Sequence, residues 1–127
     1  MTPPGNIIAL IVTTRPDESR EFYEQRLGLP LVVDEQFALV FDVNGIMLRV
    51  TKLETFSPAP FTVLGFDVAD ISSEITRLTA KGIKFEHFVG LEQDAQGICI
   101  FSNGTQVAWF KDPDGNMLSL TEFSQSY

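Results

Sequence analysis

Two stretches of the chain are copies of one another at a single offset. Asp112-Pro113-Asp114-Gly115-Asn116-Met117-Leu118-Ser119-Leu120-Thr121 repeats Asp42-Val43-Asn44-Gly45-Ile46-Met47-Leu48-Arg49-Val50-Thr51, with Asp, Gly, Met, Leu and Thr matched in place. Each copy reads as a turn that feeds a strand, because Asp, Asn and Gly supply turn chemistry and alternating side chains follow. A repeat of this kind constrains the fold strongly: tandem units usually cannot bury their apolar faces alone, so they combine. The same strand face carries Arg49 in one copy and Ser119 in the other.

The flanking segments extend the repeat. Ile7 to Val12 is an apolar run suited to a buried strand, and Pro16 fits the first turn of a helix that follows. From Asp17 to Leu27, the residues Phe22, Tyr23 and Leu27 form its apolar face, and Gly28 ends it through a left-handed cap. Strands are expected around Leu31 to Val33, Phe37 to Phe41 and Ile46 to Val50. A linker at about residues 53–60, marked by Pro58 and Pro60, separates modules of about 5–52 and 61–123. The order then recurs: a strand from Phe61 to Val68, a helix capped by Asp70 and stopped by Gly82, and strands at Ile83 to Phe88, Thr105 to Phe110 and Asn116 to Leu120. Gly90 to Gly97 reads as a surface loop, before a short strand at Ile98 to Phe101. The expected fold is therefore α+β, one domain of two tandem βαβββ modules whose curved mixed sheets surround a cavity, with helices on the outer face.

Composition excludes several function classes. Seventeen acidic residues against nine Lys and Arg leave a net charge of −8, which repels phosphate backbones and anionic lipid surfaces. Nucleic acid and membrane are not expected partners. Met1-Thr2-Pro3-Pro4-Gly5-Asn6 lacks a basic region followed by an apolar stretch, so no secretory signal is expected and cytoplasm is the expected location. The single cysteine, Cys99, lies between Ile98 and Ile100 and reads as a buried strand residue.

Three features together resemble the vicinal oxygen chelate superfamily, which includes glyoxalase I, bleomycin-resistance proteins, fosfomycin-resistance enzymes and extradiol dioxygenases. They are Phe22-Tyr23 followed by Leu27-Gly28-Leu29, the strand-helix unit Phe66 to Gly82, and Val107-Ala108-Trp109-Phe110-Lys111 leading into Asp112-Pro113-Asp114-Gly115-Asn116. The likeness spans nearly the whole chain. It implies the fold and not a reaction, because one fold hosts many chemistries.

Metal-dependent members of that superfamily place His, Glu or Gln on the first and last strands of each half. The positions that match here are Ile7, Val63, Arg49 and Ser119. Two of these have no ligand atom, one is a fixed cation and one a weak neutral donor, so no metal and no cofactor are expected. His87, the only histidine, sits beside Glu86 on an expected strand, where adjacent side chains point to opposite faces and do not chelate one ion. It reads as a surface or hydrogen-bonded residue, with a pocket role as the alternative.

Strand alternation puts Met47, Arg49 and Thr51 on one face and Met117, Ser119 and Thr121 on its counterpart. Ile7, Ala9 and Ile11 and Val63, Gly65 and Asp67 are expected to join them around the cavity. The candidate ligand-binding set is Ile7, Met47, Arg49, Val63, Asp67, His87, Trp109, Met117 and Ser119. Arg49 is suited to grip an anionic group bidentately, or to pair with Asp67, Glu54 or another acid as a structural bridge. Trp109 and Phe110 must point to opposite faces, so one of them can stack on a planar ligand. Asp112 and Asp114 are assigned to the turn and not to an acid-base pair.

The function expected is binding or sequestration of a small, partly apolar or aromatic molecule by a homodimer, as in the bleomycin-resistance branch. The acidic charge suits a cationic drug, whereas Arg49 does not. The alternative is a glyoxalase- or dioxygenase-like enzyme acting as lyase, isomerase or oxidoreductase. In a metal-independent form, Asp67 or His87 would act as base and Arg49 would stabilise an oxyanion.

Overall fold

The computed structural model describes residues 1–125. The chain folds as two compact units that divide between Pro58 and Ala59, inside the expected linker. In the first unit, β1 (Ile8–Thr13) leads into α1 (Pro16–Arg20), which continues as a π-helical segment (Glu21–Arg26), followed by β2 (Leu31–Asp34), β3 (Ala38–Val43) and β4 (Ile46–Lys52). The second unit contains β5 (Thr62–Asp67), α2 (Ile71–Ala80), β6 (Cys99–Ile100), β7 (Gln106–Lys111) and β8 (Met117–Glu122). The strand orders β1-β4-β3-β2 and β5-β8-β7-β6 are the same pattern twice. In each sheet the first and last strands of the module pair in parallel and the other pairs are antiparallel. The result is an α+β fold of two repeated modules with mixed sheets that curve without closing.

The first helix starts at Pro16, as its missing N–H allows, but its second half is wider than an α-helix. Leu27 N donates to Phe22 O at 2.9 Å, a bond spanning five residues. At 3.6 residues per turn Phe22 and Leu27 would lie about 140° apart. The wide turn brings both inward, and Phe22, Tyr23 and Leu27 are all buried. Tyr23 and Phe41 form an aromatic pair with centroids 5.8 Å apart, which ties this helix to its sheet. A buried bond between Thr13 Oγ1 and Ser19 Oγ, 2.6 Å long, fixes the strand-to-helix corner.

In the second unit Asp70 caps α2 as expected, accepting from Ser73 N at 3.1 Å. Ile71, Ile75 and Leu78 bury one helix face, and α2 packs on β7 and β8. Gly28 and Gly82, the predicted helix stops, have φ of 77° and 88°, a region that glycine enters without steric cost.

One expected strand is absent. Between Ile83 and Phe88 only an isolated bridge, Phe85 to Phe110, remains. The reason lies in Gln93, whose side chain takes the main-chain groups a ladder would use. Its Oε1 accepts from Phe88 N at 2.7 Å, and its Nε2 donates to Glu86 O at 3.0 Å and to Gly97 O at 2.8 Å. The fourth strand of this sheet is instead the short β6.

Candidate functional site

Pairing register determines which side chains share a sheet face. In the first module Ile8 pairs with Met47, Leu10 with Arg49 and Val12 with Thr51. The Arg49 face therefore carries Ile8, Leu10 and Val12. The expectation that Ile7, Ala9 and Ile11 share it is corrected: Ile7 lies outside β1, while Ala9 and Ile11 pair with Leu48 and Val50 on the opposite, buried face. Ile8 takes the place assigned to Ile7, and it too lacks a donor atom.

Arg49 is engaged by an acid other than the two named from sequence. Its Nη2 donates to Glu35 Oε1 at 3.3 Å, with both side chains about one-third exposed. That contact employs one of the five N–H donors of a guanidinium. Met47 is exposed at the strand's start.

On the second sheet, Ser119 pairs with Gly65 in β5 and with Trp109 in β7. Trp109 thus shares the Ser119 face, and Phe110, opposite Leu118, belongs to the core side where it meets Phe85 at 5.3 Å. Val107 and Thr121 complete the row, with Asp67 beside Thr121 and Met117 at the opposite end. Val63 falls at the register irregularity between Thr62 and Leu64. Gly65 leaves room for Ser119: a Cβ there would lie 3.0 Å from Ser119 Oγ, a tight contact that the hydroxyl would have to move to relieve. Trp109 keeps part of its indole accessible, and Phe88 meets it edge-on with centroids 5.6 Å apart. Glu86 N also donates to Trp109 O at 2.8 Å. The Gln93 clasp that holds Glu86 and Phe88 hence supports the indole as well. Sequence reading missed Gln93, since a lone glutamine in a loop carries no signal of its three main-chain bonds.

His87 is not in this row. It lines a groove beside Ile75, Thr76 and Thr79 of α2, so it is separated from Trp109 and Ser119 by the sheet's own faces.

The acidic turn is structural in its bonding. Asp112 Oδ1 accepts from Asp114 N and Asn116 N, each at 2.9 Å, and Oδ2 accepts from Asn116 Nδ2 at 2.8 Å. Upstream, Asp42 Oδ1 accepts from Gly45 N at 3.0 Å. These carboxylates are occupied by the backbone they shape.

No group of three or more His, Cys, Asp or Glu side chains among the described residues is placed to hold an ion. Within the first unit Ile8 and Arg49 offer a cation and no ligand atom, and within the second Val63 and Ser119 offer one hydroxyl; neither pair has the imidazole, thiolate or carboxylate donors that divalent metals favour. No described helix is long and apolar enough to cross a membrane.

A family model described as the Glyoxalase/Bleomycin resistance protein/Dioxygenase superfamily matches residues 7–120. Among solved structures, the chain is similar to a glyoxalase family protein from Bacillus anthracis, at 17% identity and a TM-score of 0.74, covering 96% of this chain and 97% of that one. A superfamily member from Sphaerobacter thermophilus gives 21% identity and a TM-score of 0.73, over 95% and 98% of the two chains. A lactoylglutathione lyase from Agrobacterium tumefaciens gives 20% and 0.72, over 94% and 95%. No curated protein matches the sequence. Likeness at these identities concerns the fold.

Proposed function

Since the chain belongs to the glyoxalase/bleomycin resistance protein/dioxygenase superfamily, we propose that it is a metal-free member that binds or sequesters a small, partly apolar or aromatic molecule. One observation carries this reading: the only tryptophan of the chain is braced by Phe88 on a face whose neighbours are the small Gly65 and Ser119. A fixed, partly accessible indole beside small residues is a stacking surface for a planar ligand, and the Ser119 hydroxyl orients it. The Arg49 face of the other module, with Leu10 and Met47, is by itself suited to the same class of molecule, its guanidinium offering a contact to an anionic group. This function is placed in the cytoplasm.

The protein works as a homodimer in this proposal. In the first unit Ile8, Leu10, Val33 and Phe37 are all at least 45% exposed, apolar residues that a second copy would cover. Light scattering at micromolar concentration should give twice the mass of 14.2 kDa. A monomer at all concentrations would remove this element.

Titration with planar aromatic ligands, cationic, neutral and carboxylate, tests the binding reading directly through the single indole. At least one ligand should quench its emission saturably and raise thermal stability by linkage. Elemental analysis belongs beside it. Stoichiometric nickel, zinc, iron or manganese, with lyase, isomerase or dioxygenase activity that depends on the metal, would establish the enzyme reading instead.

A further inference from the structure

We propose that the groove between α2 and the 83–87 segment is a second small-molecule site, selective for a monoanionic organic acid with an apolar body. The groove is open to solvent and has a volume of about 370 Å³, within the range of pockets that hold small ligands. It is built entirely from the second module, so its geometry depends on that unit alone. Its floor is Ile75, Ile83 and Phe85, all buried. Phe85 in turn is seated on Phe110 of the core, with ring centroids 5.3 Å apart.

The polar lining is one-sided in charge. Lys84 and His87 line the groove and no Asp or Glu does, in a chain where acids outnumber Lys and Arg seventeen to nine. Every arginine and Lys52 sits in an ion pair, whereas Lys84 and His87, like Lys81 and Lys111 elsewhere, take part in no ion pair found among the described residues. A cation without a partner over an apolar floor favours an anion with an apolar body, because binding costs no existing salt bridge. His87 offers an imidazole N–H in either protonation state. Thr79 adds a hydroxyl at the helix side. On the remaining wall Gln96 is oriented before any ligand arrives: its Oε1 accepts from Ser72 Oγ at 2.8 Å, and its Nε2 donates to Ser72 O at 3.3 Å and Thr76 Oγ1 at 3.4 Å. The loop and α2 are thereby joined across the groove.

None of the residues that line this groove belongs to the Trp109 and Ser119 row. The probe is 2-naphthoate, with neutral 2-naphthamide as its control, titrated into the isotope-labelled full chain and followed by amide NMR shifts. Naphthoate should shift the amides of Thr79, Lys84, His87 and Gln96 saturably, and naphthamide should bind at least tenfold more weakly. Lys84→Glu, at an exposed position, should weaken naphthoate at least tenfold, and Lys84→Gln at least threefold. Trp109→Phe should leave that affinity within twofold. Absence of saturable shifts at the groove, equal binding of the neutral amide, or full affinity in both Lys84 variants would overturn the proposal. Shifts confined to the Trp109 and Ser119 strands would overturn it too, while supporting the function proposed for that face.

Discussion

Replacing Gln93 with leucine should loosen the second module far more than a loop substitution normally does. The side chain makes three bonds to the main chain, to Phe88 N, Glu86 O and Gly97 O. A net hydrogen bond is worth about 1 kcal/mol, and a polar group left without a partner costs more. The groups here are part-buried, so water partly replaces the lost partner, and Gln93→Leu should cost about 2–3 kcal/mol. Leucine keeps most of the volume, which limits any packing contribution. The assay is urea unfolding followed by the emission of Trp109, which reports this module because Phe88 touches the indole. The native-state emission should also shift red as Phe88 loosens. A loss below about 0.5 kcal/mol, within the scatter of ordinary surface changes, would refute the assignment of the clasp.

Gln93→Glu sharpens the same test. The carboxylate still accepts from Phe88 N but faces the carbonyl oxygens of Glu86 and Gly97, where the amide had donated. Those oxygens raise the folded-state pKa of the introduced acid above its unfolded value of about 4.3. A raised carboxyl pKa destabilises the fold while the group is ionised, so the deficit is largest at neutral pH and shrinks as pH falls through the folded value. Wild-type stability at neutral pH would contradict the donor roles of Gln93.

Arg49→Ala separates the structural and binding roles of that residue: its pair with Glu35, about one-third exposed on both sides, should contribute under about 1 kcal/mol to stability, while affinity for a carboxylate ligand should fall about tenfold or more. Unchanged affinity in calorimetric titration would confine Arg49 to the bridge. Asp112→Ala removes three accepted bonds from a buried turn and should cost about 3 kcal/mol or more in urea unfolding; a loss under about 1 kcal/mol would contradict the turn assignment. Lys52 and Arg20 hold the Asp34 carboxyl below its ordinary pKa, and the Ser73 amide and hydroxyl do the same for Asp70. Their stabilisation is present above the unfolded-state pKa and is lost as pH falls through the depressed folded values. Urea midpoints should therefore drop on acidification below about pH 4, and Asp70→Ala should flatten that slope.

The parts of this fold legible in the sequence are those whose signal is local. Asp70 as a helix cap, Gly28 and Gly82 as stops, and the turns at Asp42 and Asp112 follow from residue chemistry alone, and the structure keeps each one. Faces on β4 and β8 were readable because their polar residues alternate with apolar ones. The first strand was not readable in that way. Ile7-Ile8-Ala9-Leu10-Ile11-Val12 is apolar at every position, so only pairing with β4 tells one face from the other, and that register is a long-range fact. The segment from Ile83 to Phe88 misled for a different reason. Its apolar pattern is strand-like, but its main-chain partners come from a side chain in a loop.

Whether Trp109 or Phe110 meets the ligand face illustrates how small a step decides a site. Both copies of the repeat share an offset, and in the first hairpin Val40 lies opposite Arg49. Carried across unchanged, that register would set Phe110 opposite Ser119. The first hairpin closes through Asn44 and Gly45, with φ of 50° and 88°, between the paired Val43 and Ile46. The second closes from Lys111 to Met117 around Asp112–Asn116, a longer connection organised by the Asp112 carboxylate. That difference in loop length slides β7 by one residue, and a one-residue slip in a strand exchanges its faces. Phe110 is consequently committed to the core, and the indole of Trp109 is presented beside Ser119. The turn governs the site through register: pairing Pro113 with Asn116, as the first hairpin pairs Val43 with Ile46, would set Phe110 and not Trp109 opposite Ser119.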